Sequence, residues 1–288
     1  MLKITTTKTP MAPRILLYGP AGIGKTTLGS VFPGAVILPV EDGADGIECP
    51  KLPRPGNWEA VLATLQELAV DHQGIKTLVI DSITEVERMA QRFIAAKANV
   101  PVIDDVPYGR GFPAVAVEIN KALDLLLALR GKGVAIILIG HMSVIKYEDP
   151  RTAGYDRFQP ALHKTCAPIV TQWCDAVLCA NYRVYTEDRT GGFNKTTTKG
   201  KGEGERVIYC DEKPTHIAKN RYWLPSEVSF SWTEILAGIA KSFAPRAVAQ
   251  VASAVPEAVI AAAATQTNTS TQPAEITAET SATAQKEG

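Results

Sequence analysis

The eight residues Gly19–Thr26, G-P-A-G-I-G-K-T, fit the spacing G-x-x-x-x-G-K-[ST]. They stand between an apolar run, Ile15–Tyr18, and a segment of helical character that opens TLGSVF. Strand, tight glycine turn and helix in immediate succession form one unit of a parallel α/β sheet. The glycines let backbone N–H groups turn inward around phosphate oxygens, and the helix adds its positive N-terminal end. The nucleotide-binding loop is therefore expected to comprise Gly19, Pro20, Ala21, Gly22, Ile23, Gly24, Lys25, Thr26 and Thr27. Lys25 is placed to reach the β and γ phosphates, and the Thr26 hydroxyl to join a Mg2+ shell. The expected cofactors are ATP and Mg2+.

The same alternation continues along the chain. Apolar runs at Ile15–Tyr18, Ala35–Val40, Thr77–Ile80 and Val134–Ile139 are separated by helical spacings over Asn57–Val70, Thr84–Ala98 and Ala114–Arg130. This pattern predicts the α/β class: a mostly parallel central sheet with flanking helices. The helix AVAVEINKALDLLLALR is apolar nearly all round and is expected to lie against the sheet. After Ile139, the polar stretch His141–Lys164 reads as a long loop. Strand-like runs at Ala176–Val184, Arg206–Cys210 and Thr215–Ala218 then predict a C-terminal antiparallel extension, and Trp232–Ala240 a closing helix. The chain thus divides into an N-terminal arm (1–12), an ATPase domain (13–243) and an Ala/Thr-rich tail (244–288). The tail has too little apolar area to offset the entropy of ordering and is expected to be disordered. Its alternative reading is a docking segment for a replication or recombination partner.

Thirty basic residues balance thirty acidic ones, so no global field draws the chain to nucleic acid or an anionic membrane; such binding needs a local patch. Cys49, Cys166, Cys174, Cys179 and Cys210 contain no C-x-x-C pair and read as buried, reduced thiols of a cytosolic protein. Met1–Pro13 lacks the apolar core of a secretory signal, and no run of about 18 apolar residues predicts a membrane span.

A second group for the metal is expected at a neighbouring strand end, and T-L-V-I-D-S supplies Asp81, with Ser82 beside it. The run A-V-I-L-P-V ends in Glu41 and Asp42, where a parallel sheet faces its ligand crevice. A carboxylate there can orient and deprotonate an attacking water. Glu41 is the first choice for that base and Asp42 the second.

These residues resemble the RecA-like ATPases: the phosphate loop, a strand-end Glu, V-I-D-S, and a strand A-I-I-L-I-G-H ending in a polar sensor. The sensor is commonly Gln in that family and is His141 here, which can still donate to a phosphate oxygen or a water. Many AAA+ ATPases place the catalytic Glu beside the metal-side Asp, whereas this chain has Ser82 there. Downstream, A-K-N-R-Y-W-L-P is similar to the K-N-R-F-G motif of bacterial RadA proteins and to the Lys-x-Arg pairs that RecA-like subunits insert into a neighbour's active site. By that resemblance Lys219 and Arg221 meet the γ phosphate of an adjacent subunit, as an arginine finger does. Over roughly Ala12–Phe243 the chain looks like phage-encoded RecA-like nucleotide-binding proteins of single-strand annealing and recombination. The resemblance implies a RecA-like P-loop NTPase fold, a homo-oligomer with shared active sites, single-stranded DNA as partner and a bacterial cytosol as location.

In such proteins, loops after the Asp strand and the sensor strand carry DNA. The first corresponds to about Lys97–Pro113, with Tyr108, Arg110 and Phe112; the second holds Lys146, Tyr147, Arg151, Tyr155, Arg157, Phe158, His163 and Lys164. Interleaved cations and rings suit single strands, since cations track phosphates and rings stack on bases. The segment TEDRTGGFNKTTTKGKGEGER is a third candidate, read as a flexible hairpin. Two rival functions remain at this level: a nucleotide-switched adaptor or loader, and a small-molecule phosphotransferase with Arg151 and Arg157 on its lid.

Overall fold

A computed structural model describes residues 10–151, 153–191, 195–201 and 204–243. The first nine residues of the arm and the tail from 244 lie outside the described residues, as does the centre of the Gly/Lys hairpin at 192–194.

In chain order the elements are β1 (Arg14–Gly19), α1 (Lys25–Ser30), β2 (Ala35–Pro39), α2 (Trp58–Val70), β3 (Thr77–Asp81), α3 (Ile83–Lys97), α4 (Gly111–Gly131) and β4 (Ala135–Tyr147). There follow β5 (Tyr155–Pro160), α5 (Ala167–Trp173), β6 (Ala176–Tyr182), the hairpin β7–β8 (Tyr185–Gly191 and Lys195–Lys201), β9 (Arg206–Tyr209), β10 (Lys219–Asn220), β11 (Glu227–Ser229) and α6 (Trp232–Phe243). The main sheet runs β11-β9-β6-β1-β4-β3-β2, with β5 paired to β4 and β10 to β6. Strands β2, β3, β4, β1 and β6 are parallel; β9 and β11 add antiparallel strands at one edge. The α/β expectation, parallel sheet with flanking helices and antiparallel extension, describes this fold.

Side-chain alternation assigns each sheet face to its own helices. Leu16, Tyr18, Leu38, Leu78, Ile80, Ile136 and Leu138 pack with α2, α3, α4 and α5. Ile15, Leu17, Ile37, Val79, Ile137 and Ile139 pack with α1 and α6. Each such side chain, fully removed from water, contributes about 1.5–3 kcal/mol. Because both faces are apolar, polarity cannot set the strand register here as it does in a half-solvated sheet. The polar strand ends set it instead: Arg14 at one end of β1 and the glycine loop at the other.

Helix α4 buries Val115, Ile119, Leu123 and Leu126 against α2 and α3 but leaves Val117 and Leu127 exposed. Its indifferent pattern therefore reflects neighbours on both flanks and not complete enclosure. On the opposite layer, Trp232 fixes α6 to α1: its indole N–H donates to Leu28 O at 2.6 Å, and its ring meets Phe32 edge-on at 4.8 Å.

The structure corrects three expectations. Strand β4 does not stop at Ile139; it runs to Tyr147 and turns back as β5, with Met142 opposite Pro160 and Tyr147 opposite Tyr155. The segment H-M-S-V-I-K-Y leaves the helix layers, so its residues are half-buried or exposed and it lacks the apolar run that marked its first half. Strand β6 is parallel to β1, with Ile15 opposite Ala176, and not part of the antiparallel extension. The cause is α5, a helix of only seven residues just after the polar stretch, which returns the chain to pair beside β1. Thr215–Ala218 forms only isolated bridges at His216, and pairing to β6 is confined to Lys219 and Asn220. No described helix is long and apolar enough to cross a membrane, and the five cysteines are free thiols, all buried except half-buried Cys49.

Candidate active site

Parallel strands bring their C-terminal ends to one edge, and four of those ends carry the chemistry. Gly19 lies opposite His141, Asp81 opposite Ile139, and Pro39 opposite Asp81. The backbone N–H groups of Val40 and Glu41 both donate to Asp81 O, at 2.7 and 3.2 Å, which pins Glu41 beside the end of β3.

Within the loop, Gly22 has φ 77° and Gly24 φ 98°, backbone that a side-chain-bearing residue resists. A Cβ on Gly24 would also lie 2.9 Å from Arg206 Nη1. The Lys25 ammonium donates to Gly19 O at 2.9 Å and Pro20 O at 2.8 Å, folded over the loop it serves. Burial pushes this amine below its usual range, against the pull of Asp81 and Glu41. The Thr26 hydroxyl donates to Asp81 Oδ2 at 2.6 Å. Burial pushes the Asp81 carboxyl up, the Thr26 hydrogen bond opposes the rise, and the Glu41 charge adds to it.

These groups fit Mg2+ and a polyphosphate. A hydroxyl and a carboxylate already in contact are hard oxygen donors, and a cation between them would offset the burial, and to a lesser degree the Glu41 charge, that raise Asp81. Among the described residues no cluster of three or more His, Cys, Asp or Glu side chains can hold a metal. A Mg2+ held here would thus keep water and share phosphate oxygens, its ordinary preference. Ser82 accepts from Glu85 N at 3.2 Å and so caps α3.

The expected base and the expected sensor touch each other. His141 Nε2 lies 3.0 Å from both carboxyl oxygens of Glu41, and His141 N donates to Thr84 Oγ1 at 3.1 Å. Both side chains are partly exposed, so a water can reach the carboxylate. Asp42, the second choice, turns outward to an ion pair with Arg54.

Lys219 and Arg221 are at the opposite edge of the sheet. The Lys219 ammonium is held by three carbonyls around the end of α5: Thr171 O at 3.0 Å, Gln172 O at 2.7 Å and Cys174 O at 2.7 Å. Arg221 Nη1 lies 3.3 Å from Asp175 Oδ1, a carboxylate that also holds Arg14 at 2.7 Å, Arg130 at 3.0 Å and the Tyr222 hydroxyl at 3.2 Å. Burial alone would raise the Asp175 carboxyl, but the Arg14 hydrogen bonds, the charges of Arg14 and Arg130 and the Tyr222 hydroxyl bring it below its usual range. Arg14 and Arg130 are enclosed, whereas the Arg221 side chain is 55% exposed. Beside it opens a cleft of about 340 Å³ lined by Arg221, Tyr222 and Trp223. Strand β1 separates this cluster from its own phosphate loop by roughly 17 Å.

The two candidate polymer segments meet. Phe112 stacks on His163 with ring centroids 3.6 Å apart and planes 9° from parallel, and the buried Glu87 carboxylate accepts from His163 N at 3.0 Å. Tyr108 is 90% exposed, with the Arg110 guanidinium 5.3 Å from its ring. On the β4–β5 hairpin, Tyr147, Tyr155 and Arg157 line a cleft of about 510 Å³ with Lys213. Arg157 pairs with Glu212 and Arg151 with Asp149, so both lid cations of the phosphotransferase reading are engaged.

Sequence reasoning missed Arg206, whose Nη1 donates to Ile23 O in the phosphate loop at 3.0 Å, and Phe230, whose ring lies 4.8 Å from the Arg206 guanidinium. It also missed Asp175, on which the opposite edge converges. No local signal marks them: 183 positions separate Arg206 from Ile23. Residues 11–222 match the protein family described as AAA domain, a span that takes in both edges and leaves out β11 and α6.

Proposed function

The chain belongs to the AAA-domain family and is a nucleotide-binding P-loop ATPase, and from that premise we propose that it works on single-stranded DNA in phage-type recombination, annealing or repair. It does so in a bacterial cytosol as a homo-oligomer whose active sites are shared between subunits. One observation carries the DNA-directed reading: β4 is a single strand that passes from the core, through the His141–Glu41 contact, into the exposed hairpin with Lys146 and Tyr147. Whatever displaces the hairpin acts on the same strand that positions the base.

In this reading Lys25 exchanges the Gly19 and Pro20 carbonyls for β- and γ-phosphate oxygens. Mg2+, held by Thr26 and Asp81, supplies neutralisation of phosphate charge. Glu41, steadied by His141, takes the proton of the water that attacks the γ phosphorus, while the bond to the β–γ bridging oxygen breaks. Arg221 of a neighbouring subunit stabilises the charge on the transferring group, and Lys219, committed to the end of α5, fixes the segment that presents it. The separation of Arg221 from its own loop supports that division between subunits.

The test is ATP turnover measured across protein concentration, with and without a single-stranded oligonucleotide. Turnover per subunit is expected to rise with both. Activity indifferent to both overturns the proposal, and tight ATP binding with negligible turnover under all conditions points to a nucleotide-switched adaptor.

A further inference from the structure

The phosphate loop has two flanks, because β1 lies between β4 and β6 in the sheet. The β4 flank carries Glu41, Asp81 and His141. A nucleotide whose terminal phosphate faces those groups must lay its nucleoside elsewhere. The β6–β9 flank carries Arg206, at the start of β9, and Phe230, just after β11.

Those two side chains form a cation–π pair against the loop. The Arg206 guanidinium lies 4.8 Å from the Phe230 ring centroid, and Arg206 Nη1 is tied to Ile23 O at 3.0 Å. Both reach Gly24: a Cβ there would be 2.9 Å from Arg206 Nη1 and 3.6 Å from the Phe230 ring. Arg206 is exposed, and among the described residues no carboxylate pairs with it, unlike Arg183, which holds Glu205 and Glu227. A guanidinium set over a ring, anchored by one carbonyl and without a carboxylate partner among the described residues offers a cationic surface beside a phosphate cradle.

We propose that the Arg206–Phe230 pair is the platform on which the base of the bound nucleotide lies. The proposal rests on the reading of Gly19–Thr26 as the nucleotide site and adds what that site reads beyond phosphate. A platform reads the face of a base and not its hydrogen-bonding edge, so it favours the larger purine rings over pyrimidines. Phe230 lies beyond the family-matched residues 11–222, so half of the platform belongs to the C-terminal addition.

Calorimetric titration of the full chain with Mg2+ and ATP, UTP or inorganic tripolyphosphate tests this. Wild-type protein is expected to bind ATP more tightly than UTP. Phe230→Ala should weaken ATP by about 10-fold, shrink the preference over UTP, and leave tripolyphosphate within about 2-fold, which also shows that the loop remains folded; Arg206→Gln, which also removes a charge beside the loop, should weaken ATP more than tripolyphosphate. Equal loss of ATP and tripolyphosphate would make the pair a mere support for the loop and overturns the platform, as does an unchanged ATP affinity in both variants. If wild-type protein binds none of the three ligands, the nucleotide-site reading itself fails, a result distinct from both of those.

Discussion

The two edges of the sheet are built from the same strands and carry opposite balances of charge. At the C-terminal edge Lys25 faces two carboxylates, Asp81 and Glu41, with a hydroxyl and an imidazole beside them. At the N-terminal edge Arg14, Arg130 and Arg221 gather around Asp175, with Lys219 close by on the carbonyls at the end of α5. The carboxylates beside the loop suit a divalent cation, and in the proposed function the cations of the other edge face a neighbour's phosphates. The edges also differ in how tightly their groups are held. Arg14 and Arg130 are enclosed and bound to Asp175, whereas Arg221 makes one long contact and is free to turn outward. Within one subunit the two sets of charges lie at opposite ends of β1, and only the proposed sharing of sites between subunits would bring them together.

The comparison breaks most sharply at Arg221. Arg221→Ala is expected to lower ATP turnover roughly 1,000-fold, the scale of an arginine finger, while ATP affinity measured by titration stays within about 2-fold. Equal amounts of Arg221→Ala and Lys25→Ala protein should recover activity, because an intact loop can then sit beside an intact finger. No recovery would return Arg221 to a structural role. At the other edge, Glu41→Gln should reduce turnover in a single-turnover assay by roughly 100-fold with nucleotide binding preserved; a smaller loss shifts the proton acceptor away from Glu41. The smallest effect belongs to Lys219→Met, which leaves three carbonyls without their donor. Urea unfolding should show a loss of about 1 kcal/mol, with turnover per folded subunit reduced far less than in Arg221→Ala. Equal loss of turnover in the two would promote Lys219 from anchor to finger.

The phosphate edge was legible in the sequence because its signals are local. G-P-A-G-I-G-K-T imposes its own geometry, and Asp81 and Glu41 close apolar runs whose parallel pairing can be anticipated. Their convergence with His141 follows once four parallel strands share an edge. What escaped was whatever depends on distant partners. The β4–β5 hairpin mixes half-buried and exposed positions, with the charged Arg157 at one of its buried ones, so it lacked a hydrophobic run. Helix α5 is only seven residues long, too short for a helical period to stand out, and its presence turned β6 from antiparallel to parallel. Asp175 looks like any strand-flanking acid until Arg14, 161 positions away, and Arg130 arrive beside it. The same holds for Lys219: its motif suggests a projecting cation, and only the end of α5 shows what its ammonium holds.

Trp232, which ties α6 to α1, gives the molecule a built-in optical gauge. Its indole N–H rests on a carbonyl of the helix that follows the phosphate loop and its ring meets Phe32, so a small shift of that helix changes both the polarity and the quenching around the chromophore. Trp223 is 74% exposed at the opposite edge, beside the Arg221 cleft. Trp58 and Trp173 emit as well, so a variant with both replaced by Phe lets the buried Trp232 and the exposed Trp223, which separate in colour, report the helix after the loop and the Arg221 cleft in the same spectrum.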